Sequence, residues 1–303
     1  MKILISGASG LVGKALTTRF REEGHAIAHF VRPGAPASPG NVAWDPATAN
    51  VDVAAMEGAD AVIHLSGASI ADGRWSPARK AILRSSRIDS TRLLVDALGK
   101  MLQKPRVFLS ASAIGFYGNR GDEILTEESE RGFGFLPLLA RDWEAEAFRA
   151  EEYGIRTVRM RLGVILSEDG GALPKMVVPF KFGAGGRLGS GKQWMAWIAL
   201  KDVVGIIRAL LTDERFTGAV NVVAPTPVRN EEFTRVLASM LHRPAIFPAP
   251  AFAVRLALGE MADALLLSSQ RVQPQRLAET GYPFLFANLE SALRGILAKV
   301  NNS

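Results

Sequence analysis

The sequence predicts an α/β protein built on a doubly wound parallel sheet, followed by a smaller, mostly helical C-terminal domain. Three observations predict it. Short apolar runs alternate with stretches of helical spacing through the first half of the chain, and a glycine-rich turn joins the first run to the first helix. Beyond Pro225 the apolar spacing is mainly helical. A length of 303 residues, set against roughly 100 to 200 per domain, leads us to expect two domains or one large domain with an appendage.

Ile3 to Ser6 is a short apolar run ending in glycine, and Leu11, Ala15, Leu16 and Phe20 recur at helical spacing between Leu11 and Glu23. Gly24 stops that helix and Ala26 to Val31 reads as a second strand, giving one βαβ unit with a right-handed crossover. Further buried strands are expected at Ala61 to Leu65, Val107 to Ser110 and Thr157 to Leu166, with helices over Pro77 to Leu102 and Leu138 to Tyr153. From about Ser167 the alternation fades into a glycine-rich loop at Gly183 to Gly191, a helix at Lys201 to Thr212 and a late strand at Ala219 to Val223. Helices at Glu231 to Leu241, Phe252 to Leu267 and Leu289 to Val300 complete the chain, with Pro244, Pro248, Pro250 and Pro274 as breaks. The expected division is 1–228 and 229–303, with 168–200 contributing to the substrate side.

Composition removes several chemistries. With no cysteine there is no disulfide framework, thiolate zinc site, iron–sulfur cluster or cysteine nucleophile. The four histidines, His25, His29, His64 and His242, form no paired metal motif, so no metal site is expected. His64 lies inside a strand and reads as a core residue. The start MKILISGASG shows no secretory pattern and no segment reaches 18 uninterrupted apolar residues, so a cytoplasmic location without membrane insertion is expected. The charge of +6 is scattered, with Arg79 and Lys80 the longest basic run, which disfavours nucleic acid and favours small phosphate-bearing molecules.

Gly7, Gly10 and Gly13 in GASGLVG stand between the first strand and the first helix. Glycine is demanded there because the chain turns tightly, a pyrophosphate must approach backbone N–H groups, and the helix packs closely on the sheet. The phosphates then meet the positive end of the helix dipole. Such a Rossmann-like unit predicts a dinucleotide, and the end of its second strand selects which one. An acidic residue there would hold the ribose 2′-hydroxyl of NAD, but the chain carries Arg32, whose planar fork of donors matches a 2′-phosphate. NADP is therefore expected over NAD; the alternative is a solvated arginine before Pro33.

GASGLVG, Asp60 to Gly67 (DAVIHLSG), Ser110 to Gly118 (SASAIGFYG) and Trp197 to Val203 (WIALKDV) resemble the motifs of extended short-chain dehydrogenases/reductases of the epimerase/dehydratase type. The chain is similar in particular to an atypical branch of epimerase family proteins, in Arg74-Trp75, LGSGKQ from Leu188, VVAPTPVRNEEF from Val222 and GEMADALLL from Gly259 in a C-terminal domain of unknown function. The resemblance implies a cofactor set of Gly7, Ser9, Gly10, Leu11, Val12 and Gly13, then Val31 and Arg32, then Leu65, Ser66 and Gly67. Arg87, where ordinary members carry an asparagine, is implied to touch the cofactor or an anionic substrate group, with an ion pair to Asp89 or Asp142 as the alternative. Arg161, near the end of a strand, is read the same way.

Ordinary members pass the proton with a tyrosine whose pKa a lysine lowers, spaced YxxxK. Aligned here, those positions hold Leu136 and Ala140, which move no proton. Ser112 keeps the serine position, with a backbone-bonded structural serine as the alternative. Tyr117 is the reserve proton donor, with packing at a loop corner as the alternative. Trp194, Met195 and Trp197 are read either as pocket lining or as a domain seam, and Tyr153 as structural. The expected function is an NADP-dependent oxidoreductase or epimerase-type enzyme on an unidentified small molecule. The alternative is a catalytically idle NADP-binding regulatory protein, with a link to cell division.

Overall fold

The computed structural model describes residues 1–34 and 40–298. Strand β1 (Lys2–Ser6) enters the glycine turn, which leads into α1 (Leu11–Glu22) and β2 (Ala26–Val31). Then come β3 (Val42–Asp45), β4 (Asn50–Val51), the one-turn α2 (Val53–Met56), β5 (Ala61–His64), α3 (Pro77–Ser85), α4 (Ile88–Lys100) and β6 (Val107–Ala113). The second half holds β7 (Ile124–Leu125), α5 (Phe135–Phe148), β8 (Arg156–Leu162), β9 (Val164–Leu166), α6 (Ala172–Lys181), β10 (Trp194–Met195) and β11 (Trp197–Ala199). It closes with α7 (Leu200–Thr212), β12 (Gly218–Val222), β13 (Val228–Arg229), α8 (Asn230–Leu241), α9 (Ala251–Leu258), β14 (Arg271–Val272), α10 (Gln275–Glu279) and α11 (Leu289–Leu297).

Eight strands form one sheet in the order β12-β8-β6-β5-β1-β2-β3-β4, parallel except for the β3–β4 edge. The chain builds outward from β1 through β2 on one side, then returns to β5 and β6 on the other, so the order reverses between β1 and β5. A crevice opens at the carboxyl ends of the strands at such a reversal. Two apolar layers sandwich the sheet. One joins Ile3, Ile5, Leu16 and Phe20 with Val203, Ile207 and Leu210 of α7; the other joins Leu4, Val62 and Phe108 with Leu94 and Leu98 of α4 and Ala147 of α5.

Several expected boundaries move. The single helix expected over Pro77 to Leu102 is two, α3 ending at Ser85 and α4 starting at Ile88, with a turn at Ser86 and Arg87 between them, where Ser86 Oγ accepts from the Ala68 N–H at 3.1 Å. The strand expected over Thr157 to Leu166 breaks at Gly163, where a Cβ would stand 2.8 Å from the Ala196 carbonyl oxygen. There the chain leaves the main sheet and pairs with β11 instead. The helix expected over Phe252 to Leu267 stops at Gly259 and resumes as a π-helical turn at Ala262–Leu266. The last residues expected in the C-terminal helix, 299 and 300, lie outside the described residues, as does the domain's end to 303.

The 168–200 stretch contains α6, an element that the sequence reading did not assign. Its Leu173, Val177 and Phe180 share a core with Trp197, with Phe233 and Leu237 of α8, and with Leu289 and Leu293 of α11. The 168–200 stretch and the helical tail thus share one apolar core.

Candidate functional site

The glycine turn follows the carboxyl end of β1, beside the reversal of strand order. Gly7 has φ +69°, and the Gly10 N–H donates back to the Gly7 carbonyl at 3.0 Å, closing the loop. A Cβ on Gly13 would lie 2.4 Å from the Gly7 oxygen, so only glycine lets α1 start this close to the strand. Gly10 is the N-cap of α1 and no side chain caps it, nor is there an acidic residue in the first turn. The first N–H groups of a helix have no partner within the helix, so this end offers donors and a positive dipole to an anion. Ser9 and Gly10 are exposed, Leu11 and Val12 half-buried.

Val31 and Arg32 stand at the end of β2, with Arg32 exposed. Leu65, Ser66 and Gly67 follow β5; Leu65 N–H donates to Ser6 Oγ, which also meets His64 Nδ1 at 2.6 Å. Burial pushes the His64 imidazole down to about 3, so it stays neutral in the core. Gly170 and Gly171 approach Leu11, so the start of the 168–200 stretch borders the same turn. These sequence-predicted residues therefore converge on one edge and fit a dinucleotide pyrophosphate by their backbone donors.

Arg87 closes this edge. Its guanidinium lies 3.3 Å from where a Gly67 Cβ would be, donates to the Ala68 and Leu83 carbonyls, and stacks over Trp143 at 5.3 Å. The alternative ion pair is not formed: Asp142 pairs with Arg84 and Asp89 with Arg92.

The opposite wall, where acid–base chemistry was expected, is turned inward. Leu136 and Ala140 lie one turn apart on α5; Leu136 packs against Gly115 and joins Trp75, Leu83, Leu139 and Met261 in an apolar cluster. One more turn along is Glu144, 5% exposed, which the sequence reading passed over. Its carboxylate takes both arms of the Arg161 fork at 2.8 and 2.9 Å and the Ser112 hydroxyl at 2.6 Å. A signal for it existed in the helix FLPLLARDWEAEAF, where Glu144 continues the i, i+4 face of Leu136 and Ala140.

Two expectations are corrected by this network. Arg161 is not a cofactor ligand: it is buried, paired with Glu144, stacked 3.6 Å over Phe116, and the carboxylate holds its pKa above the ordinary arginine value despite burial. Tyr117 is not a proton donor: its hydroxyl donates to Asn221 Oδ1 at 2.7 Å, accepts from Arg161 at 2.9 Å, and burial pushes it up to about 12. Ser112 sits at the serine position but is 2% exposed and gives its only proton to Glu144. What it retains is acceptor capacity. Trp197 is wholly buried and belongs to the seam, as does Met195, whereas Trp194 lies between the Arg229 and Arg271 guanidinium groups, its Nε1 donating to Asp122 at 2.7 Å.

Comparison with known proteins matches this architecture along its length. Residues 3–223 match the NAD dependent epimerase/dehydratase family and residues 249–296 a domain of unknown function, DUF1731. An epimerase family protein of Mycobacterium bovis is 40% identical over 291 residues, covering 96% of each chain. The crystal structure of human epimerase family protein SDR39U1 (isoform 2) with NADPH superposes with a TM-score of 0.90 at 32% identity, covering 98% of this chain and 99% of that one. A nucleoside-diphosphate sugar epimerase from Corynebacterium glutamicum gives 0.82 at 34% identity, covering 99% of this chain and 58% of that one. With its glycine turn, its sheet order and its C-terminal helical part all in place, the chain belongs to the NAD dependent epimerase/dehydratase family, in the branch of epimerase family proteins that are extended short-chain dehydrogenases/reductases.

Proposed function

We propose that this protein binds NADP(H) at the carboxyl edge of β1, β2 and β5, and acts there as an oxidoreductase or epimerase-type enzyme on a small molecule. The observation that carries it is the uncapped α1 N-terminus behind a turn in which Gly13 admits no side chain, with exposed Arg32 at the end of β2. The turn's N–H groups would hold the pyrophosphate, Arg32 the 2′-phosphate, and Arg87 the edge beside Gly67. When bound, NADPH would supply a hydride. The SDR39U1 structure with NADPH supports this choice of cofactor.

The chain's own residues bind and orient but place no accessible proton carrier at the tyrosine and lysine positions. Proton transfer would rest on water or the substrate, with Ser112 accepting a hydrogen bond from it. Positioned acid–base groups contribute roughly 10² to 10⁴ in rate. The apolar pair Leu136 and Ala140 therefore also favours a second reading, an NADP-binding protein without turnover that serves a regulatory role. The test is loss of NADPH absorbance across a panel of carbonyl compounds and nucleotide sugars. Turnover diminished in Ser112→Ala supports the enzyme; tight NADPH binding with no turnover for any compound supports the regulator; no NADPH binding overturns both.

A further inference from the structure

The loop after β5 is gripped by two arginines. Arg87 donates to the Ala68 carbonyl at 3.0 Å, and Arg79, on the first turn of α3, donates to the Ser69 carbonyl one residue further from Gly67. Of the other cations nearby, Lys80 pairs with Glu260, Arg84 with Asp142, and Arg92 with Asp89 and Glu146, while Arg74 donates to the Leu256 carbonyl. Among the described residues no carboxylate pairs with Arg79 or Arg87. The cost shows on Arg87, whose pKa burial and then the Arg79 charge push down to about 10, with no acid acting to restore it. Arg79 Nε is itself buried without a hydrogen-bond partner.

Two like charges, partly desolvated and unneutralised, are unfavourable in the protein alone. Planar guanidinium forks match carboxylate and phosphate oxygens. The loop's direction separates the two roles. Gly67 borders the crevice edge, and Arg79 grips the loop beyond it at the Ser69 carbonyl, one residue before Ile70, which belongs to an apolar cluster with Trp75, Leu136 and Met261. We infer that Arg79, with Arg87, forms an anion cradle for the second ligand, so that the molecule bound beside the nucleotide carries a carboxylate or phosphate next to an apolar body. This rests on the NADP(H) reading for its location and deepens it by naming the substrate's chemical class.

The test titrates NADPH-saturated protein with inorganic phosphate and with malonate, followed by calorimetry and by tryptophan emission, since Trp143 lies under Arg87. Saturable binding of either anion is expected, weakened at least about tenfold, or about 1.4 kcal/mol, in Arg79→Gln. Arg79→Lys should restore most of it, and NADPH affinity should stay within about twofold in both variants. The inference is overturned if NADPH abolishes anion binding, because the cradle then serves the cofactor's own phosphates. It is equally overturned if Arg79→Gln, folded by circular dichroism, binds anions as the parent does or loses NADPH affinity in parallel. Should the parent fail to bind NADPH, the cofactor reading falls, and the same titration on the nucleotide-free protein decides the cradle by the same Arg79→Gln comparison.

Discussion

The two walls of the crevice use the same sheet edge in opposite ways. On the β1–α1–β2 side, the groups suited to binding are main-chain N–H donors and a solvent-facing guanidinium, and the side chains are small enough to leave them open. On the β6–α5–β8 side, the hydroxyls and the charges are present but consumed internally: Ser112, Tyr117 and Arg161 all point into a network centred on Glu144. The comparison teaches that retaining reactive residue types in a strand does not retain reactivity. A hydroxyl that already donates its hydrogen bond to a buried carboxylate, or whose pKa burial has raised to about 12, is engaged by the core rather than offered to a ligand.

If the inward wall is structural, the largest effect should come from Glu144→Ala. It strands the Arg161 charge in the core at a cost of about 3–5 kcal/mol, read as a lower thermal midpoint, while the folded fraction keeps its NADPH affinity. Loss of NADPH affinity at unchanged stability would break the comparison. Conversely, Gly10→Ala places a methyl at the α1 N-terminus, 3.3 Å from the Gly7 oxygen. Its NADPH affinity should fall roughly 100-fold, about 2.7 kcal/mol, by calorimetric titration, with unfolding shifted by about 1 kcal/mol or less.

Arg32→Asp sharpens the binding side alone. The ratio of NADPH to NADH affinity should drop about tenfold, about 1.4 kcal/mol, and a variant that keeps its preference refutes Arg32 as the 2′-phosphate contact.

A smaller, pH-dependent effect belongs to the floor between the walls. His64 is depressed from 6.5 to about 3 in the folded protein, so the unfolded chain binds its proton first. Its contribution is full above pH 6.5 and is lost as pH falls toward 3, with a slope of up to about 1.4 kcal/mol per pH unit. His64→Gln should flatten denaturant midpoints across that window; an unchanged slope would show that other groups set the acid limit.

Much of this molecule was legible in its residues. The strand–glycine–helix order of the first 31 positions is a property of near neighbours along the chain. Backbone geometry and helix periodicity act over a few residues, so a linear reading captures them.

Partnership over distance was not legible. Glu144 and Arg161 are 17 positions apart, Ser112 and Glu144 are 32 apart, and Tyr117 and Asn221 are 104 apart. Whether a hydroxyl at the end of a strand faces ligand or core depends on which carboxylate the fold carries to it. That is settled by helix packing and desolvation, which no local pattern encodes. The sequence by itself determined the strand, glycine turn and helix that open the sheet; only the tertiary structure decided that Arg161 and Tyr117 are buried in a network with Glu144 and that Arg79 has no carboxylate partner among the described residues.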